Sequence, residues 1–404
     1  MKKPEIRLCN SNEWISARLS DYCRRIVRKN SSLESDLILT ISAQYGLIPQ
    51  NKFFNKRIAS SQIENYYLIK KGEFAYNKSY SAEYPVGAVK QLTLSDKGVL
   101  STLYVMFDIF RSGLNSHWLS AYFESNCWHK EILKRASEGA RNHGLLNISA
   151  EDFLDIPISL PISESEQQSL ATFFDNLDKY ISSEDVELQK LKNLKKACLE
   201  KMFPKEGERV PEIRFKEFGG EWEKINLGKL FRERVENDEY GELLTVSQSQ
   251  GVIKASENGR VDNSNKDKSK YLVVKPGDIA YNSMRMWQGA SGCSSYYGIV
   301  SPAYTILVPD ESINSLFFSI LFKTDDAIKK FRLNSQGLTS DQWNLRFPAF
   351  CKIEITYPTS KEEQTAIANY FTRLDSYISA HEKKVEKLKQ LRKGLLEKMF
   401  IGNE

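Results

Sequence analysis

Histidine is scarce. Four occur in 404 residues (His117, His129, His143, His381), and none stands at metal-ligand spacing from a partner beyond the chance pair Cys127 and His129. Cysteine is sparse and scattered. Cys9, Cys23, Cys127, Cys198, Cys293 and Cys351 form no CxxC pair, which argues against a disulfide framework or a zinc site and for reduced thiols in a cytoplasmic protein. Long apolar runs are missing, with none near the roughly 18 residues that a membrane span needs. The first residues, MKKPEIRLCNSNEW, lack the apolar core of a signal peptide. Neither charge sign dominates: 57 Lys and Arg against 52 Asp and Glu leave a net +5, mildly basic and compatible with nucleic acid without demanding it.

Catalytic motifs are absent as well. There is no GxxxxGK[ST] phosphate loop, no GxGxxG after a strand, no Asn-Pro-Pro-aromatic tetrapeptide and no GxSxG elbow. Pro309-Asp310-Glu311 resembles the start of a nuclease core but lacks a convincing downstream acid-x-Lys, and it reads as a surface turn. At 41% hydrophobic residues and this length, the chain is expected to fold as two to three globular domains, each with its own core.

What is present is a duplication. Pro161–Phe203 aligns with Pro358–Phe400 at a constant offset of 197, with 21 of 43 positions identical and no gap. Each copy opens with a Ser-x-x-Glu capping box, Ser163 to Glu166 and Ser360 to Glu363. Apolar residues then recur at helical spacing. The first seam is Leu170, Phe174, Leu177, Ile181, Leu188, Leu191, Cys198 and Met202. The second is Ile367, Phe371, Leu374, Ile378, Val385, Leu388, Leu395 and Met399. Such stripes must be buried, and each copy is the natural partner of the other. Positions 183–187 and 380–384 share no residue, so a bend or break is expected there. Lys195 and Arg392 interrupt the heptad, and Leu194 and Leu391 are expected to widen the seam in their place.

The segments before each helix match more weakly. PEIRL at 4–8 answers PEIRF at 211–215, Glu13-Trp14 answers Glu221-Trp222, and YYLIKKGEFAYN at 66–77 answers YLVVKPGDIAYN at 271–282. Gly98, Ser101 and Tyr104 answer Gly298, Ser301 and Tyr304. β-rich runs at Tyr66–Ile69, Tyr271–Val274 and Ala303–Val308 lie among helical stretches such as Ser116–Ala136, which indicates mixed α/β domains of about 150 residues. The stretches after the Tyr-Asn pairs, 78–97 and 283–297, differ in length and sequence. Both are rich in hydroxyl, amide, aromatic and basic groups, the side chains that hydrogen-bond base edges and phosphates. Neutral loop drift accounts for the same divergence.

The order of globular domain, long helix, globular domain, long helix resembles the specificity (S) subunit of type I restriction–modification enzymes. The likeness is carried by the EQ…FF…LD…YI helix starts, the LxxLKKxxLEKMFP ending at 188–204, PEIRF with Glu-Trp at 211–222, and Gly-Asp-Ile-Ala-Tyr-Asn at 277–282. It implies an α/β (mixed α+β) pseudo-twofold chain in which two target recognition domains are separated by two long antiparallel helices forming an intramolecular coiled coil. Domain 1 would span 1–155, the central helical repeat 156–206, domain 2 207–352 and the C-terminal repeat 353–404. The resemblance implies a non-catalytic subunit that reads a bipartite site on double-stranded DNA. Two modification (M) subunits carrying S-adenosylmethionine would dock on the helical spacer, and restriction (R) subunits using ATP and Mg would join them, this chain itself binding no cofactor.

DNA contacts are expected from Lys78, Ser79, Tyr80, Lys90 and Gln91 in the first domain and from Ser283, Arg285, Trp287 and Gln288 in the second. Ser42, Gln44, Ser247 and Gln248, in the matching LTISAQYG and LTVSQSQG runs, are further candidates, as are Arg141, Asn142, Gln336 and Thr339 in polar loops before the helices. Three other readings remain open: a coiled-coil scaffold with two protein-binding domains, an enzyme with an unfamiliar site in the polar loops, and a fused restriction–methylation enzyme, the last disfavoured because no catalytic domain is encoded.

Overall fold

The computed structural model describes residues 3–8, 13–42, 46–51, 63–82, 84–136, 144–248, 250–259, 264–339 and 342–402. It divides into two packing units. Unit 1 is Met1–Asp185 with Lys383–Glu404, and unit 2 is Val186–Glu382. The structure thus groups the four sequence segments differently, because each long helix gives its first half to one unit and its second half to the other.

The two units share one topology. In unit 1 a four-stranded sheet has the order Cys23–Ile26, Val105–Ile109, Phe74–Asn77, Ala88–Gln91. In unit 2 the matching order is Phe231–Glu233, Tyr304–Pro309, Ile279–Asn282, Ser291–Cys293. Each unit adds the same three two-stranded ladders. In unit 1 these join Trp14–Arg18 to Pro157–Pro161, Leu39–Ser42 to Gly46–Pro49, and Tyr67–Lys70 to Lys97–Leu100. In unit 2 they join Glu223–Asn226 to Glu354–Tyr357, Leu244–Ser247 to Gly251–Lys254, and Leu272–Val274 to Gly298–Val300. All these ladders are antiparallel, so the units are α+β. The stretch 116–136 is two helices, Ser116–Glu124 and His129–Arg135. Ser125 separates them: its Oγ donates to Tyr122 O at 2.6 Å and accepts from Cys127 N at 3.3 Å, which withdraws backbone groups from the ladder.

The duplicated segments are helices Glu164–Lys201 and Lys361–Met399, each uninterrupted. The break expected at 183–187 and 380–384 does not occur. Each stretch instead holds the point where its helix passes from one unit to the other. In unit 1, Glu184 meets Lys384 at 2.7 Å and Asp185 meets Lys389 at 3.1 Å; in unit 2, Lys192 meets Glu382 at 2.7 Å. An acid in one copy faces a base in the other, so complementary charge, and not identity, is what this stretch requires. The helix halves run antiparallel: as 178 advances to 184, the partner falls from Arg392 to Lys384.

The seam is largely as expected, with Leu170, Phe174, Ile181, Leu188, Cys198 and Met202 buried in the first copy. Leu194 and Leu391 are half exposed and do not widen it. Lys195 pairs with Asp375 at 2.5 Å, and Arg392 Nη2 with Asp178 at 2.9 Å, so the two basic residues hold the interrupted heptad positions themselves.

Each helix is tied to its domain by one set of contacts that appears in both units. Glu166 Oε1 accepts from Trp14 Nε1 at 3.3 Å, and Glu363 Oε1 from Trp222 Nε1 at 3.3 Å. Gln167 Oε1 accepts from Asn115 N at 2.7 Å, and Gln364 Oε1 from Asn314 N at 2.8 Å. Ser163 and Ser360 cap their helices, accepting from Glu166 N at 3.4 Å and Glu363 N at 3.2 Å. The helix ends close the cores. Phe400 lies 5.7 Å, centroid to centroid, from both Trp118 and Phe174 in unit 1; Phe203 lies 5.8 Å from Phe317 and 6.1 Å from Phe371 in unit 2. Burying one such ring stabilises by roughly 1.5–3 kcal/mol. Among the described residues, no helix is long and apolar enough to cross a membrane.

Candidate nucleic-acid interface

The shared Gly-acid-x-Ala-Tyr-Asn strands launch the divergent loops. Gly72 (φ +88°) and Gly277 (φ +91°) occupy the left-handed turn that precedes each strand. The acid after the glycine grips an arginine: Glu73 accepts from Arg28 Nη2 at 2.7 Å, and Asp278 from Arg234 Nε at 2.9 Å. Each strand ends in an asparagine whose Oδ1 accepts the amide two residues on, Ser79 N and Met284 N, both at 3.0 Å. A second bond pins each loop start: Leu146 N donates to Lys78 O at 3.0 Å, and Leu345 N to Ser283 O at 2.9 Å. Two unlike loops therefore leave identical mounts.

The loops are shorter than the divergent stretches, because each returns as a strand, Ala88–Gln91 in unit 1 and Ser291–Cys293 in unit 2. Lys90 and Gln91 consequently lie on a strand. Lys90 is mostly buried and ion-paired with Glu124, and Gln91 Nε2 donates to Gly72 O at 2.9 Å, so both are engaged within the protein. Gly87 (φ +81°) closes the first loop, where a Cβ would stand 2.0 Å from Asn77 O.

The other candidates divide by exposure. In unit 1, Ser79 and Tyr80 face solvent, while the half-buried Lys78 donates to Ile148 O at 3.2 Å and Ser42 is buried. Gln44, Arg141 and Asn142 lie outside the described residues. In unit 2, Arg285, Gln248, Gln336 and Thr339 are exposed, and Arg285 has no side-chain partner among the described residues. Ser283 is buried against Thr305 Oγ1 at 2.9 Å, which makes it a support for the loop and removes it from the surface. Trp287 and Gln288 are half-buried, as is Ser247. Gln248 Nε2 donates to Gln288 O at 2.7 Å, and Gln336 bridges Asn344 through both backbone bonds. Trp287 stands edge-on to Trp343 at 5.2 Å. Unit 2 thus ties Gln248 to Gln288, Trp287 to Trp343 and Gln336 to Asn344, with the exposed Arg285 on the same loop as Trp287 and Gln288. Arg and Gln side chains are suited to bidentate contacts with guanine and adenine edges.

Two residues here were not singled out from sequence. Trp343 sits in a polar stretch with no periodic signal. Lys323 looks like an ordinary cation at a helix end, yet it is half-buried and its ammonium is held by two backbone carbonyls. Among the described residues there is no group of His, Cys, Asp and Glu that could hold a metal ion. Burial lifts the Cys23 thiol to about 12 and the Cys293 thiol to about 11, away from reactive thiolates, and in each case a nearby carboxylate adds to the effect.

No family model matches the chain. It is 24% identical over 341 residues to the type I restriction enzyme MjaVIII specificity subunit of Methanocaldococcus jannaschii, covering 77% of this chain and 76% of that protein. Its fold is similar to the crystal structure of a type I restriction–modification S subunit from M. genitalium, with a TM-score of 0.58 at 15% identity and full coverage of both chains. It is also similar to a chain from a structure of type I R-M complex assembly and conformational transition, with a TM-score of 0.54 at 14% identity over 98% of this chain and 99% of that one.

Proposed function

We infer that this chain is a specificity (S) subunit of a type I restriction–modification enzyme, the non-catalytic part that gives the complex its DNA sequence. It acts as a DNA-recognition subunit within an assembly of restriction–modification subunits. The observation that carries the finer reading is the pair of identical mounts holding unlike loops. A framework kept in duplicate while its loops diverge suits two recognition domains that read different halves of one bipartite site.

The proposed mechanism is positional. Each domain places its loop in a groove, and phosphate contacts fix the register while base contacts select the sequence. Arg285, Gln248 and Gln336 would read the second half, and Ser79 and Tyr80 the first. The long helices are proposed as the spacer that sets the number of unread base pairs. At about 1.5 Å per residue a helix of this length spans roughly 57 Å, ample for half-sites one turn apart at about 34–36 Å. Two M subunits, bringing S-adenosylmethionine, are proposed to dock on the duplicated helices, with R subunits bringing ATP and Mg. The modest net charge of +5 fits a DNA grip shared with those partners.

The test is co-expression with a candidate M subunit and mapping of methylated adenines by single-molecule sequencing. A bipartite motif, with one half changed by replacing residues 1–155, is the expected result. Normal expression with no methylation and no co-purifying methyltransferase would favour a protein scaffold instead. Activity from the purified chain alone would favour an enzyme.

A further inference from the structure

We propose that Lys323 is a specificity-positioning residue: its ammonium clamps the two polar loops of unit 2 together and so sets which bases that unit reads, without touching DNA. The proposal rests on the recognition role inferred above and adds to it a framework position that tunes it. Lys323 occupies the corner between helices Ser315–Leu321 and Asp325–Asn334. Its Nζ donates to Gln248 O at 2.7 Å and to Gly289 O at 2.8 Å. The first carbonyl belongs to the turn of hairpin Leu244–Lys254, and the second ends the loop that carries Arg285, Trp287 and Gln288. One cation therefore joins two segments 41 residues apart in sequence.

The surroundings show that the joint is built. Gln248 Nε2 crosses to Gln288 O at 2.7 Å, a second tie between the same segments. Below it, a Cβ on Gly292 would stand 2.5 Å from Gly251 Cα, so the hairpin turn lies directly on the returning strand. Gly289 (φ +78°) turns its carbonyl toward the lysine, and a Cβ there would meet Ile328 Cδ1 at 3.3 Å. The corner itself is rigid: Lys323 N bonds Ile320 O at 2.9 Å, and Thr324 Oγ1 caps the next helix by accepting from Ala327 N at 3.4 Å.

The matching position in unit 1 carries the opposite charge and other partners, Lys90 and Arg392. Asn115 and Asn314 cap equivalent helices, and nine residues after each stand Glu124 and Lys323. Glu124 grips Lys90 on the returning strand of unit 1, where unit 2 has Gly292. One framework position thus reaches out to its own divergent loop region in each unit, with chemistry suited to that loop. A residue fixed by loop identity within a shared frame belongs to the specificity apparatus even though it is out of reach of bases.

The test uses the co-expressed complex with an M subunit, wild type against Lys323→Met, which keeps the aliphatic stem and removes both donors. Base discrimination is measured separately in the two half-motifs by methylome mapping and competition binding. Expected is a loss of about tenfold in discrimination in the second half alone, on the scale of one misplaced base contact, with faster amide exchange at 247–251 and 283–290. A merely structural role would weaken both halves alike or neither. Wild-type discrimination in both halves overturns the proposal. If Lys323→Met does not assemble, Lys323→Leu, which also removes both donors, carries the same test with the same overturning outcome. A wild-type complex with no bipartite motif would overturn the recognition reading itself, and the exchange data would still decide whether the clamp exists.

Discussion

Phe400 packs against Trp118 with ring centroids 5.7 Å apart, joining the residue just after the second long helix to the core of unit 1. Phe203 makes the matching contact with Phe317 at 5.8 Å in the other unit. Phe400→Ala should therefore destabilise unit 1 by about 3–5 kcal/mol and leave unit 2 intact, with Phe203→Ala doing the reverse. Hydrogen exchange resolved by peptide distinguishes the two; uniform loosening from either variant would contradict it.

Arg214 is the second test. Its Nε and Nη2 donate to the Glu363 carboxylate at 2.7 and 2.8 Å, and Glu363 is almost fully buried beneath Trp222. Removing the arginine strands a buried charge, so Arg214→Ala should cost about 3–5 kcal/mol in unit 2. Adding Glu363→Gln, which still accepts from the indole, should recover a good part of that loss. Urea titrations of the single and double variants measure the coupling.

Arg285→Ala removes the exposed guanidinium of the unit 2 loop. The expected loss is about 1–3 kcal/mol in affinity for the second half-site, with relaxed base preference there and no change in the first half. Competition binding with half-site variants reads this directly, and an unchanged motif and affinity would remove Arg285 from the interface.

The Lys323 amine titrates within reach of experiment. Burial is the main force that brings it down to about 8, the charge of Lys195 adds to that, and Asp375 opposes it. A lysine whose folded pKa is depressed holds its proton less tightly when folded than when unfolded, so it favours the folded state progressively as pH rises above about 8 toward the ordinary lysine range. Subtracting Lys323→Met from wild type in urea unfolding across that window should reveal a stability difference that grows with pH. A flat or falling difference would be the wrong sign.

Tyr180 and Tyr377 occupy matching places on the two helices, and both remain substantially exposed, as do Leu194 and Leu391. Aromatic residues left in solvent at duplicated positions suit anchors for two copies of one partner. Tyr180→Ala or Tyr377→Ala should each cost about 2 kcal/mol or more in the binding of one M subunit. Native mass spectrometry should show a complex short of one copy, and the double variant should leave this chain folded and alone.

Helical content, duplication and capping were legible because they are local. Ser163, Ser360 and the apolar seam announce themselves within a few residues of chain. Trp14 and Trp222 were visible as a matched pair, but their bonds to Glu166 and Glu363 join positions 152 and 141 residues apart, which periodicity cannot show. The charged stretch at 183–187 misled because identity was the wrong measure where complementarity operates. Lys90 and Ser283 misled because polar composition does not say which way a side chain faces. Lys323 stayed hidden for the same reason: a cation after a helix is ordinary until its two carbonyl partners are known.

The division of the helices between the units also fixes an order of events in synthesis. Val186–Glu382 is one unbroken stretch, so every residue of unit 2 comes before the segment from Lys383 that unit 1 still needs. Unit 1 begins first yet must wait for Met399, Phe400 and Ile401 before its core is filled. A chain that stops early can thus offer one finished half and one open one. The aromatic ring at position 400 closes the core of the first unit, which stays open until that ring arrives.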